Sequence, residues 1–507
     1  METADCFHVS VSTILNWVKE GFLTLDEYRQ VTMKSIRQFQ SHQVGKQKLQ
    51  ARANKLLKDS HDPDLVQQQL QALMTTSSSD TWSDGYETML SESFKNKEGI
   101  FYTPKAVVDD MMKTIEIQPS TRFLDPCCGS GNFLLRAVEM GVRLDNLYGF
   151  DTDPNAVMIA QQRIKDLTGC EAPHVICADF LQECPKLDIT FDLVFTNPPW
   201  GKKLSKQKRM EYALKYHAGN SADTCSLFLF AILSKLRPDG VMGLLMPESF
   251  YNIAVYEDAR KAVLDKTILS MKDYGKPFKN MYSAVAITIK QRAKEDDQPI
   301  VCQTGGRTYV RQQDSFLSMP RCNLNYWTSS SEMQMLTELM RNPSLSLKGH
   351  AIWGMGIVTG NNAKMCKHSY HKGLKPVYRG KDLFPGRMKA ASLFINPKDF
   401  PRYQQMAPLE LFHAPEKLVY RFISNTLVFV CDTRQRYILN SANMFILDET
   451  FPLTAKQLAE LMNSPLTNWV FRQLFHTHKV LRGDLELLPI FTDLSLHRRF
   501  NLVNLDR

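Results

Sequence analysis

Between residues 96 and 295, short apolar runs alternate with longer helical ones, and no other feature of the chain constrains its fold as strongly. "RFLDPCC" reads as a strand ending in a Gly-rich turn, and "GNFLLRAVEMG" as the helix after it. "LYGFD" is a second strand, followed by a helix over "PNAVMIAQQRIKDL". "HVICAD" and "FDLVFTN" are a third and a fourth strand, "CSLFLFAILSKL" is helical, and "GVMGLLMP" is strand again. Strands alternating with helices predict a parallel, doubly wound α/β sheet. Such a sheet binds ligands at the carboxyl ends of its strands, where Asp125, Asp151, Asp179 and Asn197 fall.

The flanking regions lack this alternation. Residues 1–95 read as helical: "STILNWVKEGFL" spaces Ile14, Leu15, Val18 and Phe22 along one helix face. "LDEYRQVTMKSIRQFQ" and "PDLVQQQLQALM" continue the pattern, and "TTSSSDTWSDG" is a polar break expected as a linker. Further on, "VYRGKDLFPGRM" and "EKLVYRFISNTLVFVCDTRQRYILNSANMFIL" mix short β-type runs with basic and aromatic residues. The expected division is a helical region over 1–95, an α/β domain over 96–300 and a separate α+β domain over 330–507.

With 507 residues, 43% of them hydrophobic and 23% charged, the chain is long enough for several domains and has ordinary soluble composition. Its 11 cysteines show no CxxC spacing, which predicts reduced thiols rather than a disulfide framework or a zinc site. His476 and His478 alone do not predict a metal, and none is expected. The net charge of +9 suits a polyanionic partner without requiring one. No apolar run is long enough to span a bilayer, and "METADCFHVS" lacks signal-peptide character. A cytoplasmic protein with no membrane partner is expected.

The strand ends carry the chemistry. In "LDPCCGSGNFL", Gly129 and Gly131 let the backbone come close to a ligand. Asp151 is placed to accept from both hydroxyls of a ribose, and Asp179 from an adenine amino group. No GxxxxGK[ST] loop is present, so the expected ligand is a nucleoside without phosphates. The fourth strand ends in "FTNPPWG". Its two prolines stiffen the loop, so the Asn197 side-chain oxygen and the Pro198 carbonyl become acceptors with fixed directions. Converging acceptors suit a substrate –NH₂ group and stabilise positive charge as it develops there. Trp200 offers a flat face, and stacking of a base on an aromatic is worth roughly 1–3 kcal/mol. Taken singly, each Asp could be a helix cap or turn residue. Three at successive strand ends argue for a site. Cys127 and Cys128 read as small packing residues rather than nucleophiles.

"FYTP" (101–104), "DPCCGSGNF" (125–133), "GFDTD" (149–153), "CADF" (177–180) and "NPPW" (197–200) follow the order found in the amino-methylating DNA methyltransferases. The chain resembles their γ class, the TaqI and Eco57I type of restriction–modification methyltransferase, which makes N6-methyladenine. The resemblance implies a Rossmann-like S-adenosylmethionine-dependent methyltransferase that acts on a flipped adenine in double-stranded DNA. It implies that Tyr102, Thr103, Pro104, Asp125, Cys127, Gly129, Gly131, Asp151, Asp179 and Phe180 surround S-adenosylmethionine. Asn197, Pro198, Pro199 and Trp200 would hold and stack the target base, with Phe278 of "GKPFKNMYSAVAITI" as a second aromatic. The basic loop "GKKLSKQKR", with Lys202, Lys203, Lys206, Lys208 and Arg209, is placed to hold phosphates flanking the target. "GIVTGNN", "KPVYRGKDL", "EKLVYRF" and "LMNSPLTNWVFRQLF" resemble target-recognition domains of the same type, with Arg379, Lys381, Arg387 and Arg421 as candidate DNA contacts. "VSVSTILNWVKEGFL" (9–23) resembles small helix-turn-helix units, with Trp17 in the core and Lys19 toward the backbone; an ordinary helical hairpin fits it as well.

Two rival readings follow from the same residues. One is a methyltransferase of this fold acting on RNA or on protein glutamine; the long 330–507 region weighs against the glutamine enzymes. The other is a non-catalytic DNA-binding protein, against which the intact Asp179 and Asn197–Trp200 argue. No PD…(D/E)xK nuclease pattern is found, so a restriction partner is expected as a separate endonuclease, and the methyltransferase as a monomer.

Overall fold

A computed structural model of the protein describes residues 14, 17–18, 23–26, 30–36, 63–90, 95, 98–202, 204–278 and 283–504. The chain forms two compact units, the first from residues 1–248 and 261–294, the second from 249–260 and 295–507.

The first unit is built on seven strands: β1 (Phe123–Asp125), β2 (Leu147–Asp151), β3 (His174–Cys177), β4 (Phe191–Thr196), β5 (Leu236–Pro247), β6 (Lys266–Asp273) and β7 (Ala284–Ala293). They lie in the order β3-β2-β1-β4-β5-β7-β6. The pairs among β1 to β5 are parallel, and Asp125 stands opposite Gly149 and Asp151 opposite Cys177, so the strand ends line up along one edge. The expectation of a wholly parallel sheet is corrected at the far side: β7 runs antiparallel between β5 and β6. The chain between β6 and β7 is too short for a crossover helix, so it can only return antiparallel.

Eight helices of this unit bear on the site: α1 (Pro63–Thr76), α2 (Trp82–Met89), α3 (Lys105–Met112), α4 (Asn132–Glu139), α5 (Pro154–Thr168), α6 (Phe180–Glu183), α7 (Lys206–Lys215) and α8 (Thr224–Leu233). Asp153 starts α5 by accepting from the Asn155 amide, with Pro154 in the first turn, where its missing N–H costs nothing. Almost every residue of α8 is buried, as its uninterrupted apolar sequence demands.

The polar stretch expected as a linker is a tight corner between α1 and α2. The hydroxyls of Thr76 and Ser77 donate to the Ala72 and Leu73 carbonyls, satisfying the last turn of α1. Trp82 and Tyr86 then pack with Val66, Leu70 and Leu90 against Ala156 and Ile159 of α5. The boundary expected at residue 95 therefore cuts through a core. Most of the helix-turn-helix stretch, Lys19 included, lies outside the described residues; Trp17 is buried.

The main stretch of the second unit starts near 295 rather than 330, and residues 249–260 join it. Buried Arg311 donates to the Asn325 and Thr328 carbonyls, and the Asn323 and Asn325 side chains donate to the Leu474 and Gln473 carbonyls, which ties the 299–328 stretch to the rest of the unit. A four-stranded antiparallel sheet runs in the order Ala351–Met355, Ala442–Leu447, Lys417–Arg421, Phe429–Asp432. Its alternating residues feed two clusters: Leu418, Phe429 and Phe445 on one face, Val419, Val430 and Met444 on the other. Lys417 and Asp432, directly opposed in register and both 0% exposed, form an ion pair at 2.7 Å that Arg436 joins at 2.8 Å.

Candidate active site

A cavity of about 370 Å³ opens where β1 to β4 end, a size ordinary for a small-molecule site. The turn after β1 supplies Cys127 and Gly129, the turn after β2 Asp151 and Asp153, the turn after β3 Asp179 and Phe180, and the turn after β4 Asn197, Pro199 and Lys202. The first turn needs its glycines. Gly129 has φ +49° and a Cβ there would lie 2.6 Å from the Tyr102 ring; Gly131 has φ +89° and would meet Ala160 at 2.9 Å. Tyr102, also on the wall, keeps its hydroxyl buried without a partner.

The two carboxylates are partly spent on the protein, and what remains fits a nucleoside. Asp151 accepts from the Gly129 amide at 2.9 Å and the Asp153 amide at 2.9 Å, one on each oxygen. A carboxylate has about four acceptor sites, so two stay open, as a vicinal diol requires. Burial pushes the Asp151 carboxyl up from the usual carboxylate range, and the two amides oppose that rise. Asp179 caps α6 through the Leu181 amide at 3.0 Å and also accepts from Gln182 Nε2 at 2.9 Å and the Tyr212 hydroxyl at 3.3 Å. About one acceptor site is left there, which suits one amine N–H. Asp179 thus serves as a helix cap and also lines the cavity. Phe180 and Phe228, stacked at 6.2 Å and 19°, form the apolar wall beside it.

Asn197 is oriented by its amide nitrogen, which donates to the Phe101 carbonyl at 2.8 Å. Its Oδ1 is buried without a hydrogen-bond partner. An orphaned acceptor of this kind costs about 1–3 kcal/mol unless a ligand donor satisfies it. The expected stacking face of Trp200 is covered instead: the residue is 5% exposed, its Nε1 donates to the Leu245 carbonyl at 3.2 Å, and Phe278 meets it edge-on at 5.4 Å. Phe101 closes the third side, 6.3 Å from Trp200 and 5.7 Å from Phe278.

Several expected cofactor residues stand behind the wall rather than on it. Asp125 is 1% exposed and accepts from the Thr196 hydroxyl at 2.6 Å and the Cys127 amide at 3.1 Å. Burial pushes its carboxyl up to about 7 against the pull of those two bonds. Thr103 offers its carbonyl to Asn132 Nδ2 at 2.8 Å, and Pro104 precedes α3. Gly131, Pro198, Trp200 and Phe278 likewise do not form the cavity wall. Sequence reasoning missed Phe101, Tyr86, Tyr212 and Phe228, all of which do. Tyr212 and Tyr216, one turn apart along a lysine-rich helix and its C-cap, are the signal that could have found the third.

The basic stretch is not one loop. Lys202 pairs with Glu98 at 3.1 Å, and Lys203 lies outside the described residues. Lys206, Lys208 and Arg209 stand exposed on the first turn of α7, which Ser205 caps. In the second unit the four candidate contacts divide. Arg379 is committed to Asp382 at 3.0 Å and to Ser392 at 2.7 Å, and Arg421 donates to the Gly380 and Leu383 carbonyls at 3.0 and 2.6 Å. Lys381 and Arg387 are exposed, and the Arg387 guanidinium lies 4.9 Å from the centre of the Phe384 ring. Among the described residues no helix is long and apolar enough to cross a membrane, and no His, Cys, Asp or Glu group is placed to hold a metal.

The N-6 DNA methylase family matches residues 77–312, and the TaqI-like C-terminal specificity domain matches residues 375–490. The type II methyltransferase M.VspI of Vibrio sp. (strain 343) is 37% identical over 386 residues, which is 75% of this chain and 95% of that protein. The chain belongs to the N-6 DNA methylase family. Another relative of this N-6 DNA methylase is the modification methylase CviBIII of Paramecium bursaria Chlorella virus NC1A, 26% identical over 37% of the chain and 48% of the relative. A solved structure of the type IIL restriction–modification enzyme MmeI in complex with DNA is similar in fold, with TM-score 0.55 and 11% identity over 80% of this chain and 70% of that one. As a family member the protein is a DNA methyltransferase, and its two matched regions fall in the order the motifs imply, catalytic part first. The family match starts at 77, inside the corner that buries Trp82 and Tyr86.

Proposed function

We propose that this N-6 DNA methylase transfers a methyl group from S-adenosylmethionine to N6 of a flipped adenine in double-stranded DNA, as the modification half of a type II restriction–modification pair. The observation that carries the reading is Asn197: its amide N–H is tied down while its oxygen is buried and unpartnered beside an acceptor-lined cavity. Such an oxygen accepts from an exocyclic amine, turns the nitrogen lone pair toward an electrophile and stabilises the positive charge that forms on nitrogen. When bound, S-adenosylmethionine supplies that electrophile as a methyl on cationic sulfur. Asp151 would hold its ribose hydroxyls, Asp179 its adenine amine, and Phe180 with Phe228 the base face. No strong base is needed, because the amine proton can leave after transfer. Phe101, on the cavity wall and backed by Trp200 and Phe278, is the aromatic against which the flipped base would pack. Extrusion of the base costs a few kcal/mol and is offset in such a pocket. Exposed Lys206, Lys208, Arg209, Lys381 and Arg387 are assigned to duplex contacts, and Arg379 and Arg421 to holding the second unit together. A cytoplasmic monomer with a separate endonuclease partner completes the reading.

The test uses tritiated S-adenosylmethionine with unmethylated duplex DNA, RNA and a cell protein extract as separate acceptors. Label in N6-methyldeoxyadenosine after nucleoside digestion, lost in Asn197→Ala, is expected. Label confined to RNA or protein, or in another DNA base, overturns the proposal.

A further inference from the structure

We infer that α7 is a strap tying cofactor retention to duplex engagement, with Tyr212 as the positioning residue that acts through Asp179. This rests on the DNA methyltransferase reading and adds a role for Tyr212, which that reading leaves unused.

The two ends of α7 face different tasks. Its first turn carries Lys206, Lys208 and Arg209, all exposed. Cations at a helix N-terminus oppose the helix dipole, so they weaken the helix unless an anion binds there. The far end is fastened to the turn after β3. Tyr212 is 3% exposed, lines the cavity, and donates to Asp179 at 3.3 Å. One turn on, the Tyr216 hydroxyl and Lys215 Nζ both donate to the Leu181 carbonyl, at 2.6 and 3.4 Å. Burial and the neighbouring Asp179 push the Tyr212 hydroxyl up to about 12, so at neutral pH it stays a donor. With Leu181, Gln182 and Tyr212 all bonded to it, Asp179 keeps one direction in which to accept a base amine. Tyr212 therefore fixes where that acceptor points.

The helix is rigid between its ends, and five residues separate Trp200 from Lys206. A duplex whose phosphates engage the first turn restrains α7, and whatever restrains α7 restrains Asp179. Coupling of this kind is reciprocal: bound cofactor must strengthen duplex binding by the factor with which duplex strengthens cofactor binding.

The experiment measures the Kd of S-adenosylhomocysteine for the full chain by calorimetry, alone and with a saturating duplex carrying the methylation site located by the tritium assay. Duplex is expected to tighten binding by about fivefold or more, the low end of ordinary coupling. Tyr212→Phe, and separately a triple Lys206→Gln, Lys208→Gln, Arg209→Gln variant, should reduce this to less than about twofold. Tyr212→Phe should also raise KM for S-adenosylmethionine several-fold while kcat changes little. Tyr216→Phe, which removes a tether of α7 at the Leu181 carbonyl but leaves the three bonds to Asp179 in place, should lower Tm and keep more of the coupling than Tyr212→Phe does. Full coupling in Tyr212→Phe, or none in the unaltered chain, overturns the strap. Absence of any methyl transfer to DNA by the unaltered chain instead sinks the activity reading, so the two failures are distinguishable.

Discussion

Asn197→Ala removes a buried acceptor that has no hydrogen-bond partner, while Asp151, Asp179 and Phe180 keep their places. Turnover should fall by roughly 10²-fold or more, the usual cost of losing a preorganised polar group at a transition state. Calorimetry should find cofactor affinity almost unchanged; a matching loss of affinity would assign Asn197 to the cofactor instead. Asp125 makes a different prediction. Its folded carboxyl lies near 7, above the usual carboxylate range. Between roughly pH 4 and 7 the folded state thus binds more protons than the unfolded one, and stability falls as pH rises through that window. Asp125→Asn keeps an oxygen for Thr196 and Cys127 without the charge. Its Tm should exceed that of the native chain at pH 8 and match it at pH 4.5; a gain of equal size at both would show that charge is not the cause. Which residue types stand at the strand ends was legible because a ligand's chemistry selects them. That Asp125 stands behind the wall and Trp200 is covered was not legible, since both depend on partners at Thr196, Phe101 and Phe278, far away in sequence.

Elements were read well where one run of sequence decides them. The first five strands and the helices between them follow from apolar runs bounded by Gly, Pro and Asp, and α5 even shows its cap and its Pro in sequence. The antiparallel β7 was not readable, because pairing is chosen by which edge is free. Nor does a basic residue announce its partner. The hairpin Leu383–Phe384 with Arg387–Met388 is held by Arg421 at the Leu383 carbonyl; exposed Arg387 is part of it and exposed Lys381 precedes it. Replacing Lys381 and Arg387 together by Ala should lower the salt dependence of duplex binding by about two units of slope and leave Tm unchanged. Arg421→Ala should lower Tm by about 2–4 °C, because the Gly380 and Leu383 carbonyls lose their donor. A duplex effect from Arg421→Ala without a Tm change would reverse that division. In the four-stranded sheet, Lys417→Ala strands Asp432 in the interior with Arg436 as its remaining cation. A loss of roughly 3 kcal/mol is expected in urea unfolding, and a neutral result would mean that Arg436 alone compensates the carboxylate.

At the scale of the whole molecule, the order of the two matched regions was legible from the motifs and from where the strand–helix alternation stops, whereas the first boundary was not. Residues 63–90 belong to the same core as α5, and the Tyr86 hydroxyl donates to Asp153 at 2.8 Å, on the cavity wall. A chain beginning at residue 98 should therefore lose most of its affinity for S-adenosylhomocysteine and melt earlier by circular dichroism; native affinity in that fragment would show α1 and α2 to be dispensable. The catalytic sheet also has a calendar. β5 is a 12-residue strand whose later half is buried, and the partner that covers its far edge, β7, ends only at Ala293. At ribosomal rates of roughly 5–20 residues per second, that edge waits several seconds for its neighbour. During that interval the nascent chain displays an unpaired apolar strand, the kind of surface that recruits chaperones or other chains. Codon choice between β5 and β7 should thus influence how much of the enzyme reaches its native state.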